Sequence, residues 1–304
     1  MKTLHLAVIT IALFLSSGMS FVFAQNETFQ IPPSGNASAM AGSNHVMPRK
    51  DMGDILSTTI NIEGKQETVN LPLSRILFKI NPHYGKDGKI TSLHIALRPE
   101  MHDTYEKIGF PEKSTKTVFV YPIFTQAAYS SNGFYDYYKK TCDTKCLTVN
   151  IPTKFRNTYT ASGAVSLVLK LLNYSHITDI DVDKNPDILK KYDKVIILHN
   201  EYVTKKEFDA ITHHPNVVYL YPNALYAKVK TDYHKNTITL ARGHGYPSAN
   251  MTNGFNWKYD NSKFEYDVNC EHWKFLTVGN GKMLNCYPEI IMSSDQSLLS
   301  AIKN

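Results

Sequence analysis

The chain of 304 residues carries 33 Lys+Arg against 27 Asp+Glu and is 42% hydrophobic and 12% aromatic, the balance of a folded protein and not of a disordered one. It has 15 Gly and 14 Pro, no G-x-y period and no repeat of 20 to 50 residues, which argues against collagen-like, solenoid and propeller architectures. Its net charge of +6 is spread without a Lys/Arg block, so no nucleic-acid partner is expected.

Met1 and Lys2 lead into an apolar run from Leu6 to Leu15, then small and polar residues, then Val22-Phe23-Ala24 before Gln25. This order predicts a signal peptide over 1–24, cleaved after Ala24. The uncharged stretch is also long enough for an uncleaved anchor, and either way the remainder is expected outside the cytoplasm, secreted or at the cell surface. Sequons at Asn26, Asn36, Asn173 and Asn250 agree with export as glycosylation sites. Four cysteines, Cys142, Cys146, Cys270 and Cys286, favour two disulfides over metal; of three pairings the sequence-local one is preferred.

Residues 25–52 have turn chemistry and read as a flexible linker. A β-rich N-terminal module is expected over 53–112, with strands at 57–62 and 90–97 and turns at Asn81-Pro82 and Lys86-Asp87-Gly88. From 113 to 304 the pattern alternates. A strand over 118–124 precedes a long loop over 126–159, and a helix over 161–172 follows, with Thr160 as its candidate cap. Next come a strand at 177–182, a short helix at 186–191 and an unbroken apolar strand at 194–199. Thr204-Lys205-Lys206-Glu207 is a capping box for a helix to His213, followed by a strand at 216–221. Alternation with short loops predicts an α/β fold with a mostly parallel sheet covered by helices on both faces. Antiparallel hairpins are expected beyond Leu225, around His234-Lys235-Asn236 and Gly279-Asn280-Gly281.

Ligands of open parallel sheets bind beyond the carboxyl ends of the strands, which nominates His199-Asn200-Glu201-Tyr202, Asn223 and the turn Arg242-Gly243-His244-Gly245. A His and a carboxylate two residues apart offer a general base or metal ligands. The competing reading leaves His199 satisfying backbone groups and Glu201 favouring the positive end of the next helix. His213-His214 is discounted as a chelate, because adjacent helical residues point apart. No P-loop, G-x-S-x-G, H-E-x-x-H or G-x-G-x-x-G occurs, and no cofactor or metal is expected.

The stretch Lys191-Tyr192-Asp193-Lys194-Val195-Ile196-Ile197-Leu198-His199-Asn200-Glu201-Tyr202-Val203-Thr204 resembles a segment of class I glutamine-amidotransferase-like proteins of the ThuA-like and dimethylformamidase-type branches. The resemblance spans about 118 to 225 and implies a flavodoxin-like sheet with the 199–202 loop in its crevice. No Cys stands in a glycine-rich elbow, so amidotransfer is not expected. As a whole the chain is similar to exported archaeal proteins. The expected function is a non-catalytic binding or accessory module for a small molecule, glycan or peptide, with the cell envelope as a candidate place of association. The alternative is an extracellular hydrolase of amide or glycosidic bonds. In it Glu201 acts as acid or base, His199 and His244 as base or metal ligands, and Asn200, Tyr202, Asn223 and Arg242 bind the ligand.

Overall fold

The computed structural model describes residues 55–62, 65–72, 75–84, 90–156 and 161–304. The expected signal peptide, the linker, Asn26, Asn36, the turn at Lys86-Asp87-Gly88 and the Thr160 cap lie outside the described residues.

β1 (Ile55–Ile62) pairs antiparallel with β2 (Lys65–Pro72), and β3 (Phe78–Tyr84) with β4 (Ile90–Leu97). The turn expected at Asn81-Pro82 is strand instead, with Pro82 opposite Leu93. A two-stranded ladder tolerates a residue without an N–H because each strand keeps one open edge. Helix α1 (His102–Ile108), which no pattern in the sequence announces, follows. Leu77, Phe78, Tyr105 and Ile108 are buried in one cluster with Phe119, Leu169 and Leu298, so this segment shares the core of the following domain.

The central sheet is built from β5 (Thr117–Tyr121), β7 (Ser175–Thr178), β8 (Lys194–Ile197), β10 (Val217–Tyr219), β13 (Phe275–Val278) and β14 (Gly281–Leu284). Its order is β7-β5-β8-β10-β14-β13; the first five are parallel and β13 is antiparallel at the edge. Numbered by appearance in the chain, the parallel strands run 2-1-3-4-5. Phe119, Ile196 and Val218 point to one face, beneath α4 (Gly163–Leu171) and α7 (Gln296–Lys303). Val118, Val195 and Val217 point to the other, which holds Val182 of α5 (Asp179–Lys184) and Ile211 of α6 (Lys205–His213). Both faces are covered, which is why these strands read as continuous apolar runs.

The strand expected at 177–182 ends at Thr178, whose side chain accepts from Asp181 N and opens α5 with a capping box. The long loop expected at 126–159 contains structure. It takes in the end of α2 (Ile123–Ala128), which also claims Phe124 from the predicted strand, then α3 (Phe134–Tyr138) and β6 (Thr148–Asn150). β6 belongs to a second sheet with β9 (Tyr202–Val203), β11 (Ala227–Asp232) and β12 (Thr237–Arg242), in the order β6-β12-β11-β9. The capping box expected at Thr204 and Glu207 forms.

Disulfides join Cys142 to Cys146 and Cys270 to Cys286, the sequence-local pairing. Asn173 is a poor glycan acceptor: its Nδ2 donates to the carbonyls of Phe110 (2.9 Å) and Pro111 (3.2 Å), leaving no free amide N–H. Asn250 is exposed, and Ser248 Oγ donates to its Oδ1, so Nδ2 is left open. No helix among the described residues is long and apolar enough to cross a membrane.

The β10–β14 pairing depends on one glycine. A Cβ at Gly281 would lie 1.9 Å from the carbonyl oxygen of Val217, its register partner, so backbone would have to move. Gly281→Ala is expected to destabilise the fold by about 1–3 kcal/mol or more, as overpacking does. Urea denaturation checks this, and an unchanged midpoint would refute the close approach.

Candidate functional site

The chain leaves β5 toward β7 on one side and later returns to β8 on the other, so a crevice opens beyond the carboxyl ends of β5 and β8. Thr125, in α2 just after β5, accepts from Glu201 N at 3.0 Å and pins the loop that follows β8. The same loop is folded internally: Asn200 Oδ1 accepts from Leu198 N, and Ser162 Oγ accepts from His199 N at 2.8 Å. These bonds deliver the Glu201 carboxylate into the crevice.

Polar groups from several elements converge there. His244 Nε2 lies 2.5 Å from Glu201 Oε1, and His199 Nε2 lies 3.4 Å from Oε2. Tyr129 donates to Oε2 at 3.0 Å, and Tyr135 shares its hydroxyl proton between Oε1 at 3.3 Å and the Tyr129 hydroxyl at 2.6 Å. Asn223, beyond β10, places its Nδ2 2.9 Å from His199 Nε2 and donates to Glu265 Oε2 at the same distance. Tyr287, beyond β14, places its hydroxyl 3.2 Å from His199 Nδ1. Residues beyond four parallel strands or from the second sheet thus meet around one carboxylate.

Glu201 has no exposed surface, whereas the His244 side chain is 21% exposed. His244 adopts φ 49° between Gly243 at φ 126° and Gly245 at φ 72°. A Cβ at Gly243 would come within 2.9 Å of Ala227 Cβ, so glycine lets this turn approach β11. The imidazole stacks on Tyr202 (ring centroids 5.5 Å) and packs against Tyr138 and Tyr226. It forms one wall of a groove of ≈ 640 Å³ also lined by Tyr137, Tyr138, Lys140, Cys142 and Asp143. Among the described residues His244 Nδ1 has no hydrogen-bond partner. The geometry therefore presents an imidazole to the groove with a buried carboxylate behind it.

The charges are divided by environment. Burial alone would raise the Glu201 pKa, but His244 and His199 outweigh it and hold the carboxyl at about 2, permanently ionised. Burial, and next to it the Glu201 charge, raises the hydroxyls of Tyr129, Tyr135 and Tyr202 well above 10, so they remain donors. Glu265 is pushed up to about 7, by burial first and by Glu201 second. One carboxyl is fixed as an anion and its neighbour exchanges a proton near neutral pH, the separation that assigns acid and base roles.

Of the nominated residues, His199, Glu201, His244 and Asn223 come together. Glu201 makes no bond to the following helix, whose first turn is capped by Thr204 and Glu207. Asn200 is turned inward as a loop brace, and Tyr202 is a wall beneath His244. The guanidinium of Arg242 is taken up by Met251 Sδ (2.8 Å) and Asn256 Oδ1 (2.6 Å), away from Glu201. Sequence reasoning misses the roles of Tyr129, Tyr135, Glu265 and Tyr287. The tyrosines of the long 126–159 insertion are the available signal; Glu265 and Tyr287 carry none, because only the sheet topology brings them near. His213 and His214 bond separate backbone carbonyls, as their adjacency predicts.

His199, Glu201 and His244 are not among the groups of three whose ligand atoms come within 4.8 Å of one another in the described residues. The trio His102, Asp103 and Glu106 brings its ligand atoms within 4.8 Å of one another but is wholly exposed. No known family model and no curated protein matches the chain.

The two glutamates make opposite contributions to stability. The folded pKa of Glu201 lies below the ordinary 4.5, so its contribution, roughly 3 kcal/mol, is complete above that value and is lost as pH falls toward 2. The folded pKa of Glu265 lies above 4.5, so its contribution is present in acid and is lost as pH rises through about 7. Urea titrations at a series of pH values are expected to show Glu265→Gln flattening the profile between about 4.5 and 7; an unaltered profile would remove Glu265 from the site's electrostatics.

Proposed function

We propose that the chain is an extracellular hydrolase of amide or glycosidic bonds, built on a flavodoxin-like, amidotransferase-like sheet without a thiol nucleophile. The observation that carries this reading is the convergence of His199 and His244 on one buried carboxylate, with His244 alone open to the groove. The 2-1-3-4-5 strand order, with the cluster at the point where the winding reverses, supports the fold assignment. Two disulfides are compatible with an extracellular location.

The roles follow from exposure. Glu201 is closed to solvent and stays ionised, so it neither gives nor takes a substrate proton; it orients His244 Nε2 and stabilises the imidazolium formed when Nδ1 accepts a proton from water or a nucleophile. Glu265, near its midpoint at neutral pH and joined to His199 through Asn223, supplies the proton for a leaving group.

One observation favours the second reading, a binding or accessory module. The backbone N–H groups of the His244 turn are spent on Tyr246, Thr252 and Met251 carbonyls, leaving no oxyanion donors there. Screening the purified chain against chromogenic amides and glycosides is expected to find turnover that falls at least about 100-fold in His244→Asn, the usual scale of a lost general base. Full activity in that variant would refute the role of His244, and ligand binding without turnover would select the accessory module.

A further inference from the structure

Apart from the His244 turn, the groove is walled by the end of α3 and the residues that follow it. α3 closes with a Schellman motif: Lys140 N donates to Tyr137 O at 2.9 Å and Thr141 N to Asp136 O at 3.0 Å. That motif needs a left-handed residue, here Lys140 at φ 59°. Glycine is at ease in this position and asparagine is its usual substitute, so a lysine there costs conformational energy. The side chain that comes with that cost is exposed, lines the groove and, among the described residues, forms no ion pair. Asp143, the groove's carboxylate, is already engaged: its Oδ1 accepts from Lys145 N at 2.9 Å and its Oδ2 lies 3.7 Å from Lys145 Nζ. The α3 side of the groove therefore presents a positive charge without a partner.

The rest of the lining is aromatic. Tyr137 and Tyr138 cross at 70° with ring centroids 6.0 Å apart, and Tyr137 meets Tyr246 at 88°. The Tyr138 hydroxyl meets that of Tyr202 at 3.3 Å, whereas among the described residues that of Tyr137 meets none. The backbone offers little to a ligand, because the N–H groups of residues 139–142 and 243–246 all donate to carbonyls within the chain. An extended peptide draws its affinity from main-chain hydrogen bonds, and these segments have no such donors to spare. Angled rings with polar edges suit a pyranose instead, whose C–H face packs on an aromatic ring while its hydroxyls reach phenol and imidazole. The volume of ≈ 640 Å³ lies within the range of about 300–1,000 Å³ common to small-ligand sites.

We propose that the groove binds an acidic glycan, a chain of uronic-acid sugars, with Lys140 holding a sugar carboxylate and Tyr137 and Tyr138 packing against the rings. The proposal rests on reading the groove as the substrate site, and it narrows the two bond types considered above to the glycosidic one. Lysine suits the task because its ammonium is a compact charge on a flexible stem, able to follow a carboxylate whose position varies along a sugar chain.

Calorimetric titration of the full chain with trigalacturonate is expected to show saturable binding that weakens with ionic strength, and maltotriose, a neutral trisaccharide, is expected to bind at least about 10-fold more weakly. Lys140→Gly is expected to bring trigalacturonate down to the maltotriose level while the thermal midpoint holds or rises, since glycine takes the φ of 59° without strain. Equal binding of the two sugars, an unchanged preference in Lys140→Gly, or a midpoint that falls in that variant would overturn the proposal. So would triglutamate binding as tightly as trigalacturonate, which would give the groove to acidic peptides. Chromatography of the titrated sugar keeps the two readings apart. Trigalacturonate bound but returned intact supports the accessory module and leaves the acidic glycan in place, whereas turnover of neutral substrates with no preference for the acid keeps the hydrolase and removes the glycan.

Discussion

The interaction on which the site depends is a carboxylate with no contact with water, held ionised by two imidazoles and two phenols. A lone buried anion would take up a proton. Here His244 and His199 reverse that tendency and fix Glu201 near the bottom of the carboxylate range. The fold is arranged to make this possible. Thr125 from the β5 side, Asn223 beyond β10 and Tyr287 beyond β14 all reach the short loop after β8, which is central in the sheet and can be approached from either side.

The parallel strands alone do not complete the cluster. Tyr129 and Tyr135 come from the insertion after β5, and His244 arrives from the end of β12 in the second sheet. The insertion and the second sheet are therefore parts of the site, which explains their covalent and steric reinforcement. The Cys142–Cys146 bridge closes the segment that follows α3, and Gly243 lets the His244 turn press against Ala227. A turn holding a histidine at positive φ costs conformational energy and persists only where surrounding bonds determine it. Its amides bond the carbonyls of Thr252, Met251 and Tyr246, which supply that determination.

What can be read in the sequence is what depends on local pattern. The apolar run at 194–199, the Thr204 capping box and the Gly279-Asn280-Gly281 hairpin each carry a short-range signal, and each appears near its expected place. The failures share a cause. Thr178 and Asp181 form a capping box that the strand-like pattern at 177–182 masks, and Pro82 sits in a ladder whose open edge only pairing reveals. His199 and Glu201 are legible because the strand-end rule points at a position. Glu265 is not, because its nearness to Glu201 is set by the path of the chain after β12, for which no periodicity speaks.

The buried acids of this chain illustrate two ways of meeting the same electrostatic cost. Glu201 is paired with two imidazoles and with hydroxyl donors and stays charged. Glu289, pushed up to about 8 by burial, accepts from Ala164 N at the start of α4 and takes the Tyr221 hydroxyl. It stands in for the side-chain cap that Ser162, at φ 60°, does not provide. Asp179 and Glu207, both raised well above the ordinary carboxyl range chiefly by burial, belong with Glu289: each keeps one oxygen on a backbone amide, of Phe124 and Thr204. Sorting carboxyls by what compensates them thus separates two kinds of role. A fully compensated anion serves as a fixed electrostatic post, and a proton-carrying acid serves packing.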